Sequence, residues 1–201
     1  MKRFTAMLLA SLLCLALCVP AVADEKSEKI VYTVPEEVID AQYEKQMTAI
    51  INEIKASRTT RGGDDYYYIL EETGQKTYTR SVGGFAGNQL PGGYRFRTGG
   101  AFYWTNSGGP TVSTSVTIGG TVVPVSVSFG ISSISEGTGS TGEVVYVPDT
   151  DNYYKLYITK IMEVRVTDIY EVERATGKRT LYKRTYPAFD YKADLEARKV
   201  S

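Results

Sequence analysis

The chain contains no histidine, and its only two cysteines, Cys14 and Cys18, lie near its N-terminus. Without histidine it cannot build a Ser-His-Asp or Cys-His nucleophilic site, or supply the imidazole ligands that most zinc sites use. Catalysis would depend on carboxylates, Lys, Arg, Tyr, Ser or Thr, and neither a carboxylate pair nor a Ser–Lys dyad leaves a local motif here. We therefore expect a protein that is not an enzyme and that binds no metal or cofactor.

A secretory signal peptide is predicted over residues 1–23. Two basic residues precede an apolar run at residues 7–19, and Ala21-Val22-Ala23 has the small-x-small pattern of a cleavage site. A leucine precedes each cysteine where lipidation needs a small residue, so we expect cleavage after Ala23 rather than a lipid anchor. The mature chain would be secreted or extracytoplasmic, would contain no thiol and would form no disulfide.

Charge of either sign is not in excess. The chain has 23 basic and 23 acidic residues, and two of the basic ones lie in the predicted signal peptide, which leaves a mature net charge of −2. This balance does not indicate binding to nucleic acid or anionic lipid. After the signal peptide no apolar segment of about 18 residues follows, so no transmembrane helix is expected. The expected partner is an unidentified glycan or protein at the cell surface.

An amphipathic helix is predicted over residues 35–57, within an N-terminal extension at residues 24–62. Pro35 suits the first helical turn, and acidic residues follow it where the positive end of the helix dipole favours them. Apolar residues recur at steps of three and four, which is the spacing of one helical face. The residues of this face are Ile39, Tyr43, Met47, Ile50 and Ile54.

An antiparallel β domain is predicted over residues 63–191, as a sandwich or an open barrel. Strands are expected at residues 66–71, 76–82, 94–104, 144–147, 154–172 and 179–186, with a turn at 72–75. In the long strand the even positions are mostly apolar and the odd ones polar, with the pattern broken at Lys160 and Asp168. We expect a bend or bulge near one of these two residues. Residues 192–201 are expected to be a charged tail, frayed or briefly helical.

The loop after the long strand predicts a hairpin register. A three-residue loop with a left-handed Gly177 would place Glu173 opposite Arg179, with Tyr170 opposite Tyr182 and Asp168 opposite Arg184. Earlier in the chain, the segment Asp149-Thr150-Asp151-Asn152 begins like a calcium loop. It lacks the Gly and Glu that such a loop needs at its sixth and twelfth positions, which favours a polar turn.

Residues 98–135 carry no charge, and within them a hairpin is predicted around Gly119-Gly120. The apolar residues of both strands then share one face: Val112, Val116, Ile118, Val123, Val125, Val127 and Phe129. This face either lines a soluble core or enters a membrane. The first strand has only eight residues, whereas a membrane-spanning strand needs about 9–11, and Pro124 cannot donate to a further strand. We therefore favour the soluble core.

Tyrosine is abundant, with 16 residues, and it predicts either ordinary strand surface or a ligand-binding surface. The candidate contact residues are Tyr66, Tyr68, Tyr103, Trp104, Tyr153 and Tyr157. The favoured hypothesis is a secreted, non-enzymatic binding or structural protein at the bacterial cell exterior. The alternative is a membrane-active β-hairpin protein, pore-forming or bacteriocin-like, that uses residues 98–135.

Overall fold

The computed structural model describes residues 29–58, 65–134 and 143–200, so the predicted signal peptide and its cleavage site lie outside the described residues. The fold is mainly β, with 58% strand and 14% helix, which confirms the predicted class. Its antiparallel sheets do not close into a barrel, and the arrangement is consistent with a β sandwich.

The described residues form one helix, α1 (Glu36–Arg58), and eleven strands. The strands are β1 (Ile30–Thr33), β2 (Tyr66–Tyr78), β3 (Val82–Phe85), β4 (Ala101–Thr105), β5 (Thr111–Ile118), β6 (Thr121–Ser128), β7 (Ile131–Ile134), β8 (Glu143–Tyr146), β9 (Tyr154–Glu173), β10 (Arg179–Thr185) and β11 (Ala188–Lys199).

Strand β9 is the spine of a six-stranded sheet. Strands β2 and β3 pair along one of its edges and β10 and β11 along the other, and β1 pairs with β11. A bend or bulge is predicted near Lys160 or Asp168, and register shifts do lie opposite Ile161–Met162 and Ile169–Tyr170. Their extra residues belong to the partner strands β11 and β10 rather than to β9. The predicted turn at residues 72–75 is likewise a bulge inside the single strand β2. Because strands pair along both edges of β9, the extra residues at the register shifts lie in those partner strands.

The two faces of β9 pack against different layers. Its even-numbered apolar side chains join a core with the three-stranded sheet β7-β4-β8 and the hairpin β5–β6. Its odd-numbered face meets α1, where Tyr43 Oη and Thr167 Oγ1 lie 2.9 Å apart. From Met162 to Ile169 every β9 residue is therefore buried, although the odd positions were predicted to face water. On that face Thr167 and Arg165 contact Tyr43 and Asp40 of the helix, which the alternation alone does not reveal.

Helix α1 packs through its predicted face. Ile39, Tyr43 and Met47 are at most 5% exposed and form a second core with Phe189 of β11. The aromatic rings of Tyr43 and Phe189 meet edge to face at 6.2 Å. Both the extent of the helix and its buried face are confirmed.

The hairpin β5–β6 has the predicted register, in which Val116 opposes Val123 and Ile118 opposes Thr121. Its turn has positive φ at both Gly119 and Gly120, as a two-residue hairpin loop requires. Six of the seven residues predicted on one face are at most 9% exposed within the main core. The exception is Val112, which is 43% exposed and is not a core residue. The apolar face of the hairpin is thus packed in the main core.

The predicted charged tail is wrong, because residues 192–199 belong to strand β11. Ala193, Leu195 and Ala197 alternate with charged residues and bury their side chains against the spine. This alternation is the period of a half-buried strand. The prediction rested on the charged residues and did not use the alternation of apolar and charged positions along the segment.

The turn between β9 and β10 differs in part from its prediction. Gly177 is left-handed, as expected, but the N–H of Glu173 bonds to the carbonyl of Lys178, so the loop has four residues rather than three. Arg179 therefore opposes Val172, and the predicted tyrosine pair does not form. A register shift at residue 182 then restores the predicted pair of Asp168 and Arg184.

Candidate functional site

The predicted aromatic contact residues do not form one surface. Tyr66 and Tyr68 lie opposite Glu173 and Glu171 at one end of the spine, while Tyr157 lies sixteen positions before Glu173. That separation corresponds to roughly 50 Å along an extended strand. A single small ligand therefore cannot contact both groups.

The other three predicted residues are also dispersed. Trp104 is 1% exposed and donates its indole N–H to the carbonyl of Phe129 at 2.9 Å, so it belongs to the core and its prediction as a ligand contact is wrong. Tyr103 is half-buried between its neighbours on β7 and β8. Tyr153 is 43% exposed just before β9. Strand alternation explains why two adjacent aromatics on β4 face opposite ways.

A groove of about 720 Å³ lies beside the loop that connects β3 to β4. We call it the binding groove. It is lined by Tyr94, Arg95, Phe96, Arg97, Thr98, Gly99, Gly100 and Ile134. Its volume is within the range of sites that hold small molecules or short polymer segments.

The binding groove is held by the framework of the fold. Tyr94 exchanges both backbone hydrogen bonds with Tyr154 at the start of the spine, at 2.9 and 2.8 Å. The ring of Phe96 packs edge to face on buried Phe102 and lies directly over Gly100, where a Cβ would come within 2.0 Å of it. A Cβ at position 100 would displace the ring, so glycine is what permits this packing.

Two arginines give the binding groove its charge. Arg95 donates to the carbonyl of Thr150 at 3.0 Å and to Asp151 at 3.3 Å, which orients its guanidinium. Arg97 is exposed, and among the residues that the structure describes no carboxylate pairs with it. The binding groove therefore offers aromatic surface beside an available guanidinium, which suits a ligand that carries a carboxylate or another oxyanion.

The sequence did not predict the binding groove, because residues 94–104 were expected to be strand-like and interrupted only at Gly99-Gly100 by a bulge or a break into two short strands. The available signal was the alternation of aromatic and arginine residues in Tyr94-Arg95-Phe96-Arg97, immediately before Thr-Gly-Gly. The predicted polar turn that supports it is observed, since Asp149 accepts bonds from the backbone N–H groups of Asp151 and Asn152 at 2.9 Å. Hydrogen bonds from the Tyr154 hydroxyl and the Asn152 side-chain amide, with smaller contributions from the two backbone bonds, hold the pKa of Asp149 well below its usual value.

A second polar group is buried between the two layers, and we call its residues, Lys160, Asn106 and Asp190, the Lys160 cluster. The Lys160 side chain is 1% exposed and donates to Asn106 Oδ1 and, at 3.0 Å, to Asp190 Oδ1. Asn106 Nδ2 donates to the other oxygen of Asp190 at 2.9 Å. The three side chains thus form a closed ring of contacts.

Burial dominates the electrostatics of the Lys160 cluster. It lowers the pKa of the Lys160 ammonium, and the attraction and hydrogen bond of Asp190 offset this only in part. The ring of Trp104 lies 5.5 Å from Lys160 Nζ and helps to keep water out. The sequence identifies Lys160 as a charge on a buried face, and the interrupted alternation at this residue predicts a bend or bulge rather than a polar cluster.

A third polar group joins helix α1 to the spine. Arg165 Nη1 lies 2.8 Å from Asp40 on the helix, and Arg165 Nε lies 2.8 Å from buried Glu163. Tyr78 Oη also donates to Glu163 at 3.1 Å. Each charge has a partner, so this group accounts for helix docking and offers no open position for a ligand.

Within residues 29–58, 65–134 and 143–200 no group of three or more acidic, cysteine or histidine side chains could hold a metal ion. No helix in that part of the chain is long and apolar enough to cross a membrane. Comparisons with protein-family models, curated proteins and solved structures found no match to the chain.

Proposed function

We propose that the protein is a secreted, non-enzymatic binding or structural protein at the bacterial cell exterior, and that the binding groove holds its ligand. The observation that carries the proposal is the exposed Arg97 beside Phe96, whose ring packs on buried Phe102, in a groove of about 720 Å³. Secretion is supported by the signal-peptide pattern of residues 1–23.

The ligand that this chemistry favours is an acidic glycan of the cell surface. A sugar ring presents an apolar face that packs on aromatic side chains such as Tyr94 and Phe96. A carboxylate or phosphate on the glycan would accept hydrogen bonds from Arg97, with Arg95 held close by through Asp151. An arginine fork recognises such planar oxyanions better than a lysine does.

The test compares retention of the purified protein on immobilised acidic and neutral polysaccharides. Arg97→Ala should weaken binding to the acidic polymer by about 10- to 150-fold, because a hydrogen bond to a charged group contributes about 1.5–3 kcal/mol. The matched control is Arg80→Ala, which removes an exposed arginine that does not line the binding groove. Equal retention of the wild type and the Arg97 variant would refute the groove as the site. Retention on a protein fraction alone would replace the glycan with a protein partner.

One observation favours the alternative, a membrane-active hairpin. In the described residues β5 and β6 form a ladder only with each other, so apolar packing holds the hairpin to the core. Against it, the apolar face is buried and Pro124 interrupts the outer edge of β6. Dye-loaded liposomes separate the two functions. Release of dye by the wild-type protein would favour the membrane-active hairpin, and intact liposomes would favour the binding function.

A further inference from the structure

We propose that Lys160 and Asn106 become joined by an intramolecular isopeptide bond, and that Asp190 transfers the protons of this reaction. The cross-link is independent of the binding groove and of any ligand. It would connect β9, at the centre of the large sheet, to the segment that follows β4 in the second layer.

The geometry brings the reacting groups together. Lys160 Nζ is in hydrogen-bond contact with the side-chain amide of Asn106. Asp190 bridges the two, with one oxygen 3.0 Å from Lys160 Nζ and the other 2.9 Å from Asn106 Nδ2. An amine nucleophile, an amide electrophile and a carboxylate that touches both are the complete set of groups that the reaction needs.

The surroundings favour the uncharged amine. Lys160 and Trp104 are each 1% exposed, and the edge of the Tyr32 ring packs on Trp104 with their centroids 5.6 Å apart. Burial penalises the ammonium form and lowers the pKa of Lys160, so the nucleophile is more readily deprotonated than a surface lysine. The side chain of Asp190 is 27% exposed, which leaves a route to solvent for the leaving group.

The reaction balances without an oxidant, a metal or a cofactor. The Lys160 ammonium gives one proton to the Asp190 carboxylate, and the resulting amine forms a bond to Asn106 Cγ. Asp190 then passes protons from Nζ to Asn106 Nδ2, and the bond between Cγ and Nδ2 breaks. The products are an amide between the two side chains and one ammonia, which leaves as ammonium and restores the Asp190 carboxylate.

Such a bond would connect the two layers of the fold covalently. Its only cysteines are Cys14 and Cys18, in the predicted signal peptide, so the mature protein would have no disulfide to tie its layers together. A buried ion pair alone is a weak stabiliser, because the desolvation of its charges offsets their attraction. Conversion of the pair into a neutral amide removes the buried ammonium.

Mass spectrometry of the purified wild-type protein tests the bond directly. We expect an intact mass lower, by the mass of one ammonia, than that calculated for the mature chain that begins at residue 24. Trypsin should fail to cleave after Lys160, so that residues 156–165 remain whole and covalently joined to the peptide of residues 98–155, which contains Asn106. An unchanged mass with normal cleavage after Lys160 would overturn the proposal. Loss of one water instead would indicate a bond to Asp190 and overturn the assignment of Asn106.

Variants assign the roles. Asn106→Ala and Asp190→Ala should each restore the full calculated mass, while far-UV circular dichroism shows the same strand content as the wild type. Lys183→Ala, which removes an exposed lysine of β10, should keep the ammonia loss. Ammonia loss that persists in the Asn106 variant would contradict the proposed electrophile. Persistence in the Asp190 variant would contradict the proposed proton transfer.

Discussion

The cross-link between Asn106 and Lys160 has a consequence for stability that can be worked out from the fold. It would close a loop of about 55 residues, and the loop-entropy relation for cross-links gives about 4 kcal/mol for such a loop. For a domain of this size, each 1 kcal/mol corresponds to about 2–4 °C in Tm. We therefore expect Asn106→Ala to lower the Tm by about 8–16 °C, measured by differential scanning calorimetry.

A matched variant separates the cross-link from ordinary hydrogen bonding. Asn152 Nδ2 donates to Asp149 at 2.8 Å, which is the same kind of side-chain bond that Asn106 makes with Asp190. Asn152→Ala forfeits that bond alone and should cost only about 1–3 kcal/mol. If Asn106→Ala and Asn152→Ala lower the Tm equally, the cross-link does not stabilise the protein, and the stabilisation of about 4 kcal/mol derived from the loop length is refuted.

Two further predictions concern the charges of the spine. Arg165→Ala leaves buried Glu163 with only the more distant Lys76 ammonium, at 4.0 Å, and the Tyr78 hydroxyl. It should lower the free energy of unfolding in urea titrations by up to about 3–5 kcal/mol, the cost of removing one partner of a buried ion pair, and a loss below about 1 kcal/mol would contradict this. The hydrogen bonds from Arg184, at 2.6 and 2.8 Å, lower the folded-state pKa of Asp168 below its ordinary value of 3.8. The stabilisation that this ion pair gives to the folded state is present above pH 4 and is lost as the pH falls through the lowered pKa of Asp168. Asp168→Asn should therefore reduce the loss of folding stability between pH 5 and pH 2. An unchanged loss in this variant would contradict a contribution from Asp168.

The elements predicted best from the sequence are those whose signal is local. Helix α1 and the hairpin β5–β6 were predicted because a period of three to four, or of two around Gly119-Gly120, already specifies which residues are buried. Strand β11 carries the same period of two, but its charged residues concealed it. One of its partners is β1, near the other end of the chain, and the pairing of such distant segments cannot be predicted from local residue propensities.

The sites were predicted less well than the fold, because each depends on residues brought together across layers. Lys160 was recognised as a charge on a buried face, but Asn106 and Asp190 are 54 and 30 positions away. The binding groove needs the bridge between Tyr94 and Tyr154, which is a property of the folded sheet. Abundant tyrosines were a poor guide, since strand alternation and burial placed Trp104 in the core and dispersed the others.

Location of the ligand by NMR is the most direct test of the proposed function. An isotope-labelled sample is titrated with a short acidic oligosaccharide, and backbone amide shifts are followed for all assigned residues. The account predicts saturable shifts concentrated at residues 94–100 and Ile134, which are absent with a neutral oligosaccharide of equal length and absent in Arg97→Ala. Shifts concentrated instead at the tyrosines of β2, or along the hairpin β5–β6, would contradict the binding groove as the ligand site.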